Sequence, residues 1–202
     1  ECEDAGALVM ASEYEGFTVT DIKLKNTEIS FGNDLSNLDF SAIKDNQNYI
    51  GDRSLLIIGT KNGVETYYTA KIVFADKVLT TAQDIADYCM DDVSDGAQKT
   101  GYYALGNDIT TSTYGTNTSM GLSNAGFAGT FNGCGHTVTL NNLTGAGLFN
   151  IVNGGTITNT KFVATITSYS WKSHILAHKI NGMTLTNCEF EYSITAKGTI
   201  DG

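Results

Sequence analysis

Residues Asn153 to Thr167 read NGGTITNTKFVATIT, and residues Asn181 to Thr195 read NGMTLTNCEFEYSIT, at an offset of 28 positions. Eight of the 15 positions are identical, and Ile157 matches Leu185 conservatively. Leu148 and Leu176 keep the same offset upstream, and a fainter copy stands at Thr137-Val138-Thr139, 19 residues before Thr156-Ile157-Thr158. Self-similarity at this period means stacked structural units. Apolar and polar residues alternate within each copy, which is the period of a strand rather than a helix. Strands that recur at coil spacing, with Gly and Asn at the corners, predict the stacked coils of a parallel β-helix.

A single coil cannot bury its inward side chains. Stacked at about 4.8 Å, coils pair each strand with the strands above and below. Ile157, Phe162, Ile166, Leu185, Phe190 and Ile194 are then expected to pile into inward columns. Asn159 and Asn187 take equivalent corners. Asparagine tolerates the left-handed backbone that a sharp corner needs, and stacked asparagines hydrogen-bond along the stack. Parallel connections wind right-handed. The stretch from Ala97 onward is long enough for about four or five coils. No closing helix is legible after Gly198, so the last coil is expected to present an open edge. Such an edge suggests a piece of a longer protein or an end covered by a partner.

The first 76 residues have a different texture. Ala7–Met10, Phe17–Leu24, Glu28–Phe31, Ser54–Gly59 and Tyr67–Phe74 read as short strands of period two. Lys61-Asn62-Gly63 between the last two is a hairpin signal, because both turn residues tolerate positive φ. The expectation is a small β-sandwich over 1–76. One helix follows, at about 80–90. Thr80-Thr81-Ala82-Gln83 offers a T-x-x-Q capping box, and Ala82, Ile85, Ala86 and Cys89 share one face. That face needs an apolar surface, and the open end of the coils after it would supply one. The fold class is therefore all-β: a small sandwich, then a capping helix and a short right-handed β-helix over 77–202.

The 22 acidic and 12 basic residues leave a net charge of -10. Phosphate binding needs a basic surface, so nucleic acid is a poor partner, and anionic lipid is equally poor. No apolar run reaches the roughly 20 residues of a membrane helix, so no membrane insertion is expected. Cys2, Cys89, Cys134 and Cys188 fit no zinc signature. They read as thiols, with one disulfide between any two as the alternative and lipid attachment at Cys2 as a further one. No cofactor is implied.

Three stretches carry a resemblance: Tyr102-Tyr103-Ala104-Leu105-Gly106-Asn107-Asp108-Ile109, Phe127-Ala128-Gly129-Thr130-Phe131-Asn132-Gly133-Cys134-Gly135-His136-Thr137-Val138, and Gly147-Leu148-Phe149-Asn150-Ile151. In this order they resemble the right-handed β-helix modules of large secreted and surface proteins from gut-type Gram-positive bacteria and Bacteroidetes, a GLUG-like or pectate-lyase-like superfamily. The resemblance covers residues 80 to about 195. It departs at Asn132, where aspartate is usual, and at Cys134, where asparagine is usual. Residues 1–76 are similar to an immunoglobulin-like stalk module of the same proteins. What the resemblance implies is export and display on a bacterial cell surface, with the rest of a longer surface protein as neighbour. It implies no one activity.

The candidate site is the segment after Thr167. Tyr169 and Trp171 can stack on a sugar ring, and Lys172, His174, His178 or Lys179 can pair with a uronate carboxylate. The bland reading is a decorated surface loop. His136 and Asp108 read as turn residues, and Asp91, Asp92 and Asp95 as a solvated acidic turn rather than a calcium site. β-Helix glycosidases need converging carboxylates, and lyases need a base with acids or a metal beside it. Residues 97–202 hold four acids (Asp108, Glu189, Glu191 and Asp201) and no arginine. The leading expectation is thus a non-catalytic module for adhesion or contact with extracellular or host glycans. The alternatives are a degenerate or truncated polysaccharide lyase or glycoside hydrolase of the β-helix type, which three or more acids and bases gathered on one face would favour, and a purely structural stalk.

Overall fold

A computed structural model describes residues 15–43, 46–89, 98–111, 126–141, 148–166 and 175–195. The chain is rich in strands, with one α-helix among the described residues, and it divides into two compact units, Glu1–Phe74 and Ala75–Gly202.

In the first unit β1 (Phe17–Leu24), β2 (Gly51–Lys61) and β3 (Val64–Phe74) form an antiparallel sheet in the order β1-β2-β3. The hairpin turn is where the sequence puts it. Lys61 pairs with Val64 across a two-residue turn, and Asn62 and Gly63 have φ of 53° and 78°. Both positive angles match the twist of the flanking strands. Inward residues Ile22, Leu24, Leu55, Ile57 and Ile72 pack with Phe31 and Ile43 from the β1–β2 connection. Phe31, Phe40 and Phe74 meet edge to face or tilted, with centroids 5.0–6.5 Å apart. One expectation changes. Glu28–Phe31 is not a strand; Ser30 makes one isolated bridge to Lys23, and Asp21 holds the turn by accepting from the Ser30 hydroxyl. The described residues of this unit contain one sheet, and the long β1–β2 connection packs its own apolar side chains against it. Ala7–Met10 lies outside the described residues.

The second unit is built from parallel pairings. Its elements are β4 (Lys77–Leu79), α1 (Ala82–Cys89), β5 (Tyr102–Leu105), β6 (Ile109–Thr111), β7 (Thr130–Asn132), β8 (Thr137–Leu140), β9 (Phe149–Val152), β10 (Gly155–Thr158), β11 (Lys161–Ile166), β12 (Ala177–Ile180), β13 (Met183–Thr186) and β14 (Glu189–Ile194). Three ladders result, in the orders β13-β10-β7-β5-β4, β14-β11-β8-β6 and β12-β9. Phe127 and Lys99 extend the third by isolated parallel bridges. Ile157 pairs with Leu185, and Phe162 with Phe190, whose rings stack at 5.1 Å and 16°. Phe131 lies in the first column beside Ile157, and Val138 in the second beside Phe162.

The fainter repeat copy pairs with a different strand from the one its sequence resembles. Thr137-Val138-Thr139 pairs with Lys161–Val163, and the partner of Thr156-Ile157-Thr158 is Thr130-Phe131-Asn132. The corner between β7 and β8 is two residues longer than the corner between β10 and β11, so the offset falls from 26 residues at Thr130/Thr156 to 24 at Thr137/Lys161. Gly133 lies in that longer corner. A Cβ there would run into the backbone and hydroxyl of the Asn159-Thr160 corner stacked on it.

Helix α1 packs on β4 and β6, the outermost strands of their ladders, and seals that end with Ile85 and Cys89. Ala82 and Ala86 lie against the same cluster. The cap differs from the expected one. Thr81 is the N-cap, accepting from the Asp84 N–H at 3.1 Å, while Asp84, rather than Gln83, reaches back to the N–H groups of Thr80 and Thr81 at 2.9 and 2.8 Å. Gln83 instead donates to Asp87 one turn on. Partial burial pushes the Asp84 carboxyl up, and the hydrogen bonds from Thr80 and Thr81 together outweigh it and hold the group below its ordinary value.

Burial follows position along the stack. Phe131, Val138, Ile157 and Phe162 are fully buried. On the last rung, where inward burial was expected, Leu185, Phe190 and Ile194 are 43%, 36% and 60% exposed, because no described rung lies above them.

Candidate functional site

The segment expected to contact a ligand joins β11 to β12. Tyr169, Trp171, Lys172 and His174 lie outside the described residues. His178 belongs to β12, and its side chain is outside the description as well. Lys179 is exposed on the same strand and pairs in register with Ile151. Asp91, Asp92 and Asp95 also fall outside the described residues.

The ladders bring together two polar groups. Asp108, just before β6, lies 3.3 Å from Nδ1 of His136, just before β8, and its Oδ1 accepts the Thr137 N–H at 2.8 Å. The signal was the parallel pairing of Ile109 with Val138, which sets the preceding residues side by side. Asp108 thus clamps the long corner to the neighbouring rung. It is 72% exposed, and the pair stands open to water.

The second group is Lys161 with Glu189 and Glu191. The 28-residue offset sets Lys161 beside Glu189 on the outward side of β11 and β14, and Nζ reaches Glu191 at 2.7 Å and Glu189 at 3.4 Å. This is a gathering of three charges on one face, the pattern that would favour an enzyme. Its electrostatics run the other way. The hydrogen bond from Lys161 lowers the Glu191 carboxyl, whereas a glycosidase acid needs its carboxyl raised. The hydrogen bond to Glu191 raises Lys161, whereas a lysine base needs to be lowered. Each group is held in its charged form by the other.

Inside the stack runs a line of amides. Asn187 Nδ2 donates to Asn159 Oδ1 at 2.9 Å, Asn159 Nδ2 to Asn132 Oδ1 at 3.1 Å, and Asn132 Nδ2 to the Tyr102 hydroxyl at 2.8 Å. Asn159 and Asn187 have φ of 51° and 52°. In the longer corner the left-handed residue is Cys134, at 53°, so Asn132 enters the line from the strand instead. Asn132 is fully buried, and its Oδ1 also accepts the Cys134 N–H. The two departures from the resembled pattern therefore act together.

Among the described residues Cys89, Cys134 and Cys188 are free thiols, and burial pushes the Cys89 thiol far up, which makes it unreactive. No group of three or more His, Cys, Asp or Glu among the described residues is placed to hold a metal ion, and none of their helices is long and apolar enough to cross a membrane. Comparison with protein-family profiles, with curated proteins and with solved structures finds no match to this chain.

Proposed function

We propose that this chain is a non-catalytic module of a secreted or surface-displayed bacterial protein, used for adhesion or glycan contact. In this reading residues 77–202 are a short right-handed parallel β-helix and residues 1–76 an immunoglobulin-like module. The β-helix reading draws support from the three parallel ladders, the 28-residue register and the amide line at the corners. Right-handed winding follows from the general rule for parallel crossovers.

The observation that carries the non-catalytic reading is the Lys161–Glu191 pair, 2.7 Å apart, in which each group holds the other in its charged form, so that neither a proton-donating carboxyl nor a neutral lysine base is present. Glycan contact is assigned to the aromatic and basic segment that contains Tyr169, Trp171, Lys172 and His174, with His178 next to it. Aromatic faces stack on sugar rings, and cations pair with uronate carboxylates.

A glycan array with acidic polysaccharides tests this. The wild type is expected to retain a uronate-containing glycan, and Trp171→Ala to bind it about tenfold more weakly, the loss of roughly 1.4 kcal/mol. No retained glycan in either protein sinks the binding reading and leaves the stalk. Turnover of a uronate polymer overturns the non-catalytic one.

A further inference from the structure

The chain holds four asparagine–glycine pairs: Asn62-Gly63, Asn132-Gly133, Asn153-Gly154 and Asn181-Gly182. In such a pair the glycine nitrogen can attack the side-chain carbonyl carbon of the asparagine, because no Cβ on the second residue stands in the way. The fold puts the pairs in different states. Asn132 is fully buried; its Nδ2 donates to Tyr102, and its Oδ1 accepts from Cys134 and Asn159. The Gly133 N–H donates to the Thr158 carbonyl at 2.8 Å. At the third pair the Gly154 N–H donates to the Gly182 carbonyl at 2.9 Å, and the Asn153 N–H to the Phe127 carbonyl at 2.8 Å. In both, the attacking nitrogen is bonded to a neighbouring rung. Asn62-Gly63 is different. It forms the two-residue turn of a hairpin whose strands β2 and β3 are described in full. Asn62, Gly63 and Val64 are exposed, Val64 to 66%. The Gly63 N–H has no acceptor among the described residues, and a Cβ placed on Gly63 meets nothing within 4 Å.

We propose that Asn62 is a site of spontaneous covalent modification, where the native protein converts asparagine to aspartyl and isoaspartyl residues while the stack holds Asn132 and Asn153 intact. The Gly63 nitrogen loses its proton to hydroxide and bonds to Cγ of Asn62. The Cγ–Nδ2 bond breaks, and Nδ2 takes a proton from water and leaves as ammonia. Water then opens the five-membered imide. Cleavage at Cγ leaves aspartate in the ordinary chain, and cleavage at the main-chain carbonyl carbon of residue 62 leaves isoaspartate. Water is the one co-reactant. Ring closure makes ψ of Asn62 leave its turn value. The terminal ladder pair, Lys61 with Val64, resists that swing, and the ends of a ladder open at little cost. At Asn132 the same swing breaks the amide line and a bond between rungs together. The two products differ in effect. Aspartate keeps the turn, since Asp-Gly suits it as Asn-Gly does. Isoaspartate routes the main chain through Cβ and Cγ, adds one atom to the turn and offsets Lys61 from Val64. Leu55, Ile57 and Ile72 lie further along the hairpin and keep their packing. Asn181 stands outside this ranking, because it belongs to the last described rung. The inference is independent of the glycan reading.

The test is to age the full chain in mildly alkaline heavy-oxygen water and follow each Asn-Gly peptide by mass spectrometry. The Asn62 peptide is expected to gain heavy oxygen and to resolve into aspartyl and isoaspartyl forms. Its rate is expected to rise about tenfold per pH unit, as the fraction of amide anion does. Asn132 and Asn153 are expected to convert at most about one hundredth as fast, because their rungs must open first. In denaturant the three are expected to convert within about threefold of one another, each being an Asn-Gly pair in an open chain. Asn62→Gly keeps a residue suited to positive φ and has no amide to lose. Its hairpin peptide is expected to stay unchanged in mass. Its NMR spectrum is expected to lack the new signals that grow in at Thr60–Glu65 of the aged wild type. An Asn62 peptide that stays intact in the native protein overturns the proposal. Native conversion of Asn132 or Asn153 as fast as that of Asn62 overturns it as well.

Discussion

Lys161 is a strand residue whose role is decided one rung away. Its ammonium lies between Glu189 and Glu191, and these partners sit 28 and 30 positions along the chain. Glu191 is lowered by the Lys161 hydrogen bond, below its ordinary 4.5. A carboxyl lowered on folding contributes stability that is present above its ordinary pKa and is lost as pH falls through the lower, folded value. Lys161→Ala is therefore expected to raise the Glu191 titration midpoint toward 4.5, read from the side-chain carboxyl carbon by NMR. The gap in melting temperature between wild type and Lys161→Ala, present at neutral pH, is expected to close once the solution is acid enough to protonate Glu191. A midpoint that does not move would mean the pair does not persist in water. Asp108 beside His136 belongs to the same class of contact, invisible until the rungs are aligned.

The corners decide whether a strand becomes a rung. Asn159 joins β10 to β11 with a left-handed backbone and also passes the amide line from Asn187 to Asn132. The two roles separate by substitution. Asn159→Gly keeps the backbone and loses the amide bonds, at a cost of about 1–2 kcal/mol. Asn159→Ala loses both, and is expected to cost about 1 kcal/mol more, since alanine resists positive φ. Denaturant unfolding followed by tryptophan-independent far-ultraviolet circular dichroism orders the three proteins. Equal losses for Gly and Ala would deny the backbone role. Helix α1 depends on its ends in the same way, through Thr81 and Asp84 rather than through its composition.

Along the second unit the same side chain means different things at different heights. Phe162 and Phe190 occupy one column, yet Phe162 is fully buried and Phe190 is 36% exposed. Phe162→Ala is expected to cost about 3–5 kcal/mol and Phe190→Ala about 1–2 kcal/mol, measured by the same unfolding experiment. Comparable losses would place a covering layer over the last rung. Much of this was legible beforehand: the β1–β2–β3 strands around Asn62-Gly63, the apolar face of α1, and the rows that join Ile157 to Leu185 and Phe162 to Phe190. These depend on local periodicity and on repetition, which the chain carries in its own order of residues. The failures came where distance along the chain stops measuring distance in space. Thr137-Val138-Thr139 resembles Thr156-Ile157-Thr158 in pattern but lies in another ladder, because every strand of the stack carries the same alternation. Asp108 and His136 became neighbours only when parallel pairing set the strands side by side, whereas the 28-residue offset already matched Lys161 with Glu189. The repeat by itself determined which strands pair in parallel and in which register. Tertiary structure decided which charges neutralise one another and which end of the stack is closed, because both depend on what lies one rung away in space.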